Sequence, residues 1–162
     1  MSAASGTPPD SGKAAAAAAA PPREPNRVVA AWRGEHRFDA GRPGGPTVRI
    51  DASGKTGPGP VDSLLIALAT CVSVDVVDIL TKRRTPPASL EVEVAGWRVS
   101  AVPRKLERAL ITFRIAGAGI DREPALRAIE LAVTKYCSVR DSLDPNVPVE
   151  WALELVEEPA ET

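Results

Sequence analysis

Gly59-Pro60-Val61-Asp62-Ser63-Leu64-Leu65-Ile66-Ala67-Leu68-Ala69-Thr70-Cys71-Val72-Ser73-Val74-Asp75-Val76-Val77-Asp78-Ile79-Leu80 is the longest apolar run in the chain, and it holds one of the two cysteines. Its edges read as the ends of a helix. Pro60 suits the first helical turn, where its missing N–H is not needed. Lys82-Arg83-Arg84 place cations where a helix C-terminus favours them. Thr85-Pro86-Pro87 then stops the helix, because proline cannot continue it and restricts the residue before it. Leu64, Leu65, Ile66, Leu68, Val72, Val74, Val76, Val77, Ile79 and Leu80 fall on every side of such a helix. A helix apolar all round is buried all round. The spacing therefore predicts a central helix sheathed by the rest of the fold or by a partner chain.

A membrane span needs roughly 20 predominantly apolar residues. Asp75 and Asp78 interrupt this run, and a mid-membrane Asp is expensive, so a core helix is the expectation and a membrane is not a partner. Its polar members then need partners. Thr70 and Ser73 can bond back to the preceding turn. Asp78 stands four residues before Lys82, at ion-pair spacing. Asp75 stands four residues after Cys71, one turn away on the same face. A plain acceptor in a capping network is the simpler reading of Asp75.

The 162 residues suit one domain plus a tail. A net charge of −1 leaves no electrostatic footprint for nucleic acid. The run Ala14–Ala20 lacks a positive leader and ends in Pro21-Pro22, unlike a secretory signal. Two cysteines are too few for a disulfide scaffold, which points to the cytoplasm. His36 is the only histidine, and no C-x-x-C or H-x-x-x-H spacing offers a metal site; no cofactor is implied.

Residues 1–26 are rich in Ala, Pro, Gly and Ser and cannot bury enough surface to offset their ordering entropy, so they read as disordered. The seven alanines fall below the length of about 12 at which an isolated helix holds. The folded domain is expected over 27–157, with 158–162 as a solvated tail. Arg27 to Trp32 reads as a strand, Gly34-Glu35 as a turn, and His36 to Asp39 as a second strand. Thr47 to Asp51 alternates as a third. Gly/Pro-rich loops flank it. After the central helix, Leu90 to Val99 and Leu106 to Ala116 alternate as two long strands. Asp121 is a candidate N-cap with Pro124 in the first turn of a second helix. Leu126, Ile129, Val133 and Tyr136 give that helix one core face, to about Cys137. Val147 to Leu155 gives the last strand. This order predicts an α+β fold with antiparallel sheet wrapping helices.

Each cysteine alone reads as a small core hydrophobe. As a pair they stand out: they are the only two, on helices expected to pack together. A thiol reacts as the thiolate, so its surroundings decide its role. Cys71 is too deep in its helix to gain from the N-terminal dipole, and an ionised Asp75 would oppose its thiolate. An attacking Cys71 needs an imported cation such as Arg33, Arg37 or Lys135. Cys137, near a helix C-terminus, suits a resolving role.

Gly57-Pro58-Gly59-Pro60-Val61-Asp62-Ser63-Leu64-Leu65-Ile66-Ala67-Leu68-Ala69-Thr70-Cys71, followed by Asp75-Val76-Val77-Asp78-Ile79-Leu80 and Lys82, resembles the first cysteine motif of the OsmC/Ohr family. Lys135-Tyr136-Cys137-Ser138-Val139, with Leu143, resembles the second. Trp32-x-Gly34-x-x-x-Phe38 is similar to the YhfA-type branch. The resemblance spans about Arg27 to Glu157. It implies an intertwined homodimer whose sheets wrap the central helices, with active sites at the interface. It also implies thiol peroxidase chemistry on organic hydroperoxides, in bacterial oxidative-stress defence. Cys71 would match the peroxidatic cysteine, which becomes a sulfenic acid. Cys137 would match the resolving cysteine, and a dithiol reductant, a lipoylated protein in the Ohr branch, would reset the disulfide.

The chain departs from the family pattern in two places. Asp62 stands where the family commonly has a Glu. Nine helical residues put it about 13 Å along the axis and on the opposite side from Cys71, so it would serve a partner chain's cysteine or simply favour the helix dipole. The Ohr branch places an activating Arg in the first hairpin, where Arg33 and Arg37 both stand. Two other readings remain open. One is a dimeric carrier for a small apolar or electrophilic metabolite, with unreacting thiols; the other is a structural dimer module.

Overall fold

Gly34 and Glu35 both adopt positive φ, 90° and 50°, the turn chemistry that closes a tight hairpin. It joins β1 (Val29–Trp32) to β2 (Arg37–Gly41), and β3 (Thr47–Asp51) completes an antiparallel three-stranded sheet. The computed structural model describes residues 24–157. The stretch 1–26 thus falls outside them except for its last three residues, as does 158–162.

The loop after β3 is pinned by Asp51, the buried acid among the described residues. Its carboxylate accepts from the amide and hydroxyl of Ser53 (2.8 and 2.6 Å) and of Thr56 (3.0 and 2.8 Å). Gly57 then passes so close to β3 that a Cβ there would sit 2.4 Å from the Arg49 carbonyl oxygen. The loop delivers the chain into α1 (Pro60–Lys82) with Pro60 in its first turn, as the sequence predicts. At the far end the Arg84 amide bonds the Thr81 carbonyl and the Thr85 amide bonds the Leu80 carbonyl, with Arg84 at φ 67°. That paired closure satisfies the last carbonyls before the proline stop. Thr70 and Ser73 do bond back, to Ile66 and Ala69.

β4 (Ser89–Arg98) and β5 (Leu106–Ala116) pair antiparallel. α2 (Arg122–Leu131) follows, then a π-helical turn (Ala132–Tyr136), a four-residue α3 (Ser138–Asp141) and β6 (Val149–Leu155). The α+β order stands, but the expectation of purely antiparallel sheet needs one correction: β6 runs parallel to β5. The helical segment between them is the long crossover that a parallel pair requires.

The core lies between the inner face of the second sheet and the helices. Ile111, Phe113 and Ile115 of β5 meet Leu68, Val72, Val76 and Leu80 of α1, with Ala125, Ala128 and Ile129 of α2. The sheet's outer face is polar: Arg114 binds Glu91, Glu93 and Glu154 at 2.8 to 3.0 Å. By length and composition α1 is long and apolar enough to cross a membrane, but its Leu68–Val72–Val76–Leu80 side is core.

One chain covers only part of α1. Ile66, Val74 and Val77 are exposed, Val74 at 62 %. The first sheet touches α1 mainly through β3. Trp32, Phe38 and Val48 alternate onto one face of that sheet and stay open, Trp32 at 65 %.

Candidate active site

Cys71 sits midway along α1 and is half-buried against the core. Cys137 reaches it from the end of the π turn and is 3 % exposed. The π turn explains this placement. The Cys137 amide bonds the Ala132 carbonyl, five residues back, so the helix holds one residue more than a regular turn allows. The core row then reads Ile129, Val133, Cys137. Tyr136, expected on that row, is 50 % exposed instead. The second helix therefore does not run as one α-helix to Cys137, and Cys137 lies at a junction rather than at a simple helix C-terminus. It caps α3, its sulfur accepting the Arg140 amide at 3.3 Å.

Burial pushes the Cys137 thiol up to about 11, and the Cys71 thiol beside it pushes in the same direction; the Arg140 amide pulls the other way. Cys137 therefore keeps its proton at neutral pH. Both thiols are free. On its outer side Cys137 borders a polar depression of about 420 Å³, lined among others by Lys135, Tyr136, Ser138 and Arg140.

The other candidate residues are placed apart from the thiols. Asp62 is exposed in the first turn of α1 and accepts the Gly59 amide at 2.8 Å, so in this chain it caps the helix that carries Cys71. It also borders an apolar groove between α1 and β4, with Leu65, Ile66, Ala69, Val92 and Val94. Arg33 is held by Asp39 at 2.8 Å, and Arg49 binds the other oxygen of Asp39 at 2.6 Å. Those two guanidiniums, Arg49 first, hold the Asp39 carboxyl below the usual range. Arg37 differs: among the described residues its Nε is buried without a hydrogen-bond partner, and Glu35 lies 3.4 Å from its far end. Asp78 makes no ion pair with Lys82 among the described residues. Asp75 is half-buried, and its carboxyl is raised by burial first and by Asp78 second, against a smaller pull from Lys82.

Sequence reasoning missed the clamp at Asp51. A buried Asp before Ser53 and Thr56 is an Asx-turn signal, present but hidden within a Gly/Pro loop.

A long core helix with a cysteine at its middle, a second cysteine brought to it by the next helix, and two small flanking sheets define a class of protein. The chain belongs to the OsmC-like protein family, whose model matches residues 52–152. Among curated relatives, Protein YhfA of Escherichia coli K12 is 32 % identical over 104 residues, 64 % of this chain and 78 % of that one. A crystal structure of a hypothetical protein from Aquifex aeolicus VF5 superposes with a TM-score of 0.74 at 23 % identity, over 85 % of this chain and all of that one. The organic hydroperoxide resistance protein OhrB of Bacillus subtilis shares the fold at a TM-score of 0.55 and 19 % identity, over 79 % of this chain and 96 % of its own.

Proposed function

We propose that the protein is a thiol-dependent peroxidase for organic hydroperoxides, working through Cys71 and Cys137 as a homodimer in the cytoplasm. The observation that carries this reading is the meeting of the only two cysteines, one half-buried and one buried and held protonated. In the cycle, the Cys71 thiolate attacks the terminal peroxide oxygen. The O–O bond breaks, an alkoxide leaves, and Cys71 becomes a sulfenic acid. The Cys137 sulfur then attacks the Cys71 sulfur, hydroxide leaves with the Cys137 proton as water, and a disulfide forms. A dithiol, of which a lipoylated protein is one source, restores both thiols by exchange. A reducing compartment suits such a pair.

The homodimer reading rests on two uncovered apolar surfaces: Ile66, Val74 and Val77 of α1, and Trp32, Phe38 and Val48 of the first sheet. A second copy supplies both at once, each face closing on the other chain's. Arg37, with its unpartnered Nε, is then the cation available to stabilise a thiolate, whereas Arg33 is occupied by Asp39. Asp62 acts on Cys71 by fixing the start of its helix.

The carrier reading draws on one observation: the apolar groove between α1 and β4 lies on the Asp62 side of the helix, away from Cys71. One experiment separates the two. Reduced protein is titrated with cumene hydroperoxide, and free thiols and intact mass are read at each step. The peroxidase loses both thiols together, at a mass cost of two hydrogens. Cys71→Ser is inert, and Cys137→Ser stops at a sulfenic acid that dimedone traps. Thiols that survive excess peroxide refute the peroxidase and favour the carrier.

A further inference from the structure

Asp75 is used by nothing described so far. Four residues of α1 separate it from Cys71, an advance of about 6 Å and a rotation of about 40°. Helical side chains lean toward the N-terminus, so its carboxyl group leans over the turn that holds Cys71. Among the described residues no hydrogen bond or ion pair reaches that carboxyl. Asp39, Asp51, Asp62 and Asp144, by contrast, are each held by named donors. The charged neighbours on its own helix are Asp78 and Lys82, and the group facing Cys71 from the end of the π turn is the Cys137 thiol. A half-buried acid left free beside a cysteine is placed to exchange protons with whatever occupies the site.

We propose that Asp75 is a catalytic residue: its carboxylate takes the proton from the Cys71 thiol and delivers it to the alkoxide that leaves when the peroxide bond breaks. This rests on the peroxidase reading. The balance is as follows. The S–H proton moves to Asp75, leaving one negative charge on sulfur. The sulfur lone pair forms the S–O bond as the O–O bond breaks, and the bonding pair departs on the alkoxide oxygen. Cys71 is oxidised by two electrons and the peroxide is reduced by two. Asp75 protonates the alkoxide, and the products are sulfenic acid and alcohol. At no stage do Asp75 and Cys71 carry negative charge together, which removes the like-charge conflict between an ionised Asp75 and a Cys71 thiolate. Burial raises the Asp75 carboxyl, which makes its carboxylate a stronger base toward the thiol proton than that of an exposed Asp.

The test uses two oxidants that differ in what leaves. Cumene hydroperoxide expels a strongly basic alkoxide, which needs a proton; peracetic acid expels acetate, which does not. Single-turnover oxidation of Cys71 is measured in the full chain and in Asp75→Asn and Asp75→Glu. The expected result for Asp75→Asn is a loss with both oxidants, since the thiol proton has lost its acceptor, and a loss about 100-fold or more larger with cumene hydroperoxide, whose leaving alkoxide has also lost its proton donor. Reaction with peracetic acid also shows that the variant is folded and its thiol reachable. Asp75→Glu, which keeps the carboxyl, recovers part of the rate. Equal losses with both oxidants, or no loss with either, overturn the assignment. Wild type that reacts with peracetic acid but not with cumene hydroperoxide instead overturns the peroxidase reading, and the role of Asp75 with it.

Discussion

Alkylation of Cys137 as a function of pH tests the geometry of the site without assuming any turnover. Burial and the neighbouring Cys71 thiol move this group from 9.0 to about 11. At pH 7 its thiolate share is then about 10⁻⁴ rather than about 10⁻², so the chemical step of alkylation is roughly a hundredfold slower than for the unfolded chain. The informative quantity is the pH profile, because burial also slows access. With iodoacetamide, the rate at Cys137 is expected to rise about tenfold per pH unit past 9 and to level near 11. Burial is the larger cause, so Cys71→Ser lowers the midpoint without returning it to 9.0. Stability carries the same signature. The folded state binds this proton more tightly than the unfolded state does. Its contribution is therefore complete below pH 9 and is lost as pH rises toward about 11, by up to ~3 kcal/mol for a two-unit shift. Cys137→Ser has no such titration, so the difference in unfolding free energy between it and wild type should narrow across that window. A midpoint at or below 9, or a difference that stays constant with pH, would refute the burial of this thiol beside Cys71.

Phe113→Ala empties the centre of the core and should cost ~3–5 kcal/mol in urea unfolding at an unchanged slope; a loss under ~1 kcal/mol would mean that the sheet and helices do not meet there. Asp51→Asn sets an amide N–H₂ against the donors of Ser53 or Thr56 and should lower the melting temperature at pH 7. Those hydroxyls and amides, Ser53 first, hold the Asp51 carboxyl well below the usual range. Its contribution is therefore present above pH 3.8 and fades at lower pH, so melts should diverge at pH 7 and draw together in strong acid. Val74→Glu places a charge on the open side of α1 and should convert the proposed dimer into monomer by light scattering; a variant that elutes like wild type would remove this face from the proposed interface. Arg33→Ala should leave Cys71 oxidation by cumene hydroperoxide nearly unchanged and Arg37→Ala should slow it, the reverse order counting against Arg37.

α1 was legible because its ends are written in residue types: Pro60 at the first turn, Lys82 near the last, Pro86-Pro87 beyond. The strands were legible to within about two residues for a similar reason, since alternation follows from a pleat with one buried face. The direction of β6 was not. Alternation is the same for parallel and antiparallel neighbours, so Val149 to Leu155 announces a strand without saying which way it runs. The meeting of Cys71 with Cys137 was also beyond the residues taken alone. Resemblance paired them, and only the packing of the π turn on α1 brings the thiols together.

The π turn was illegible for a sharper reason, and it matters most to the site. Leu126, Ile129, Val133 and Tyr136 fit an α-helical face without conflict, and nothing in those residue types marks an added residue. An α-helix continued through Ala132–Tyr136 would keep Tyr136 on the core row. The π turn puts Tyr136 at 50 % exposure and Cys137 at 3 %. One residue of helical register thus decides whether a tyrosine or a thiol faces α1. The same helix α1 divides its acids in a related way. Asp62 accepts the Gly59 amide and fixes where the helix starts, and Asp75, with no donor among the described residues, stands one turn from Cys71. The acid that resemblance singles out is committed to structure within this chain, and the acid that only helical spacing singles out is left free beside the sulfur. The Asp75→Asn comparison with two oxidants therefore discriminates more sharply than any substitution at Asp62, where loss of a cap and loss of chemistry would look alike.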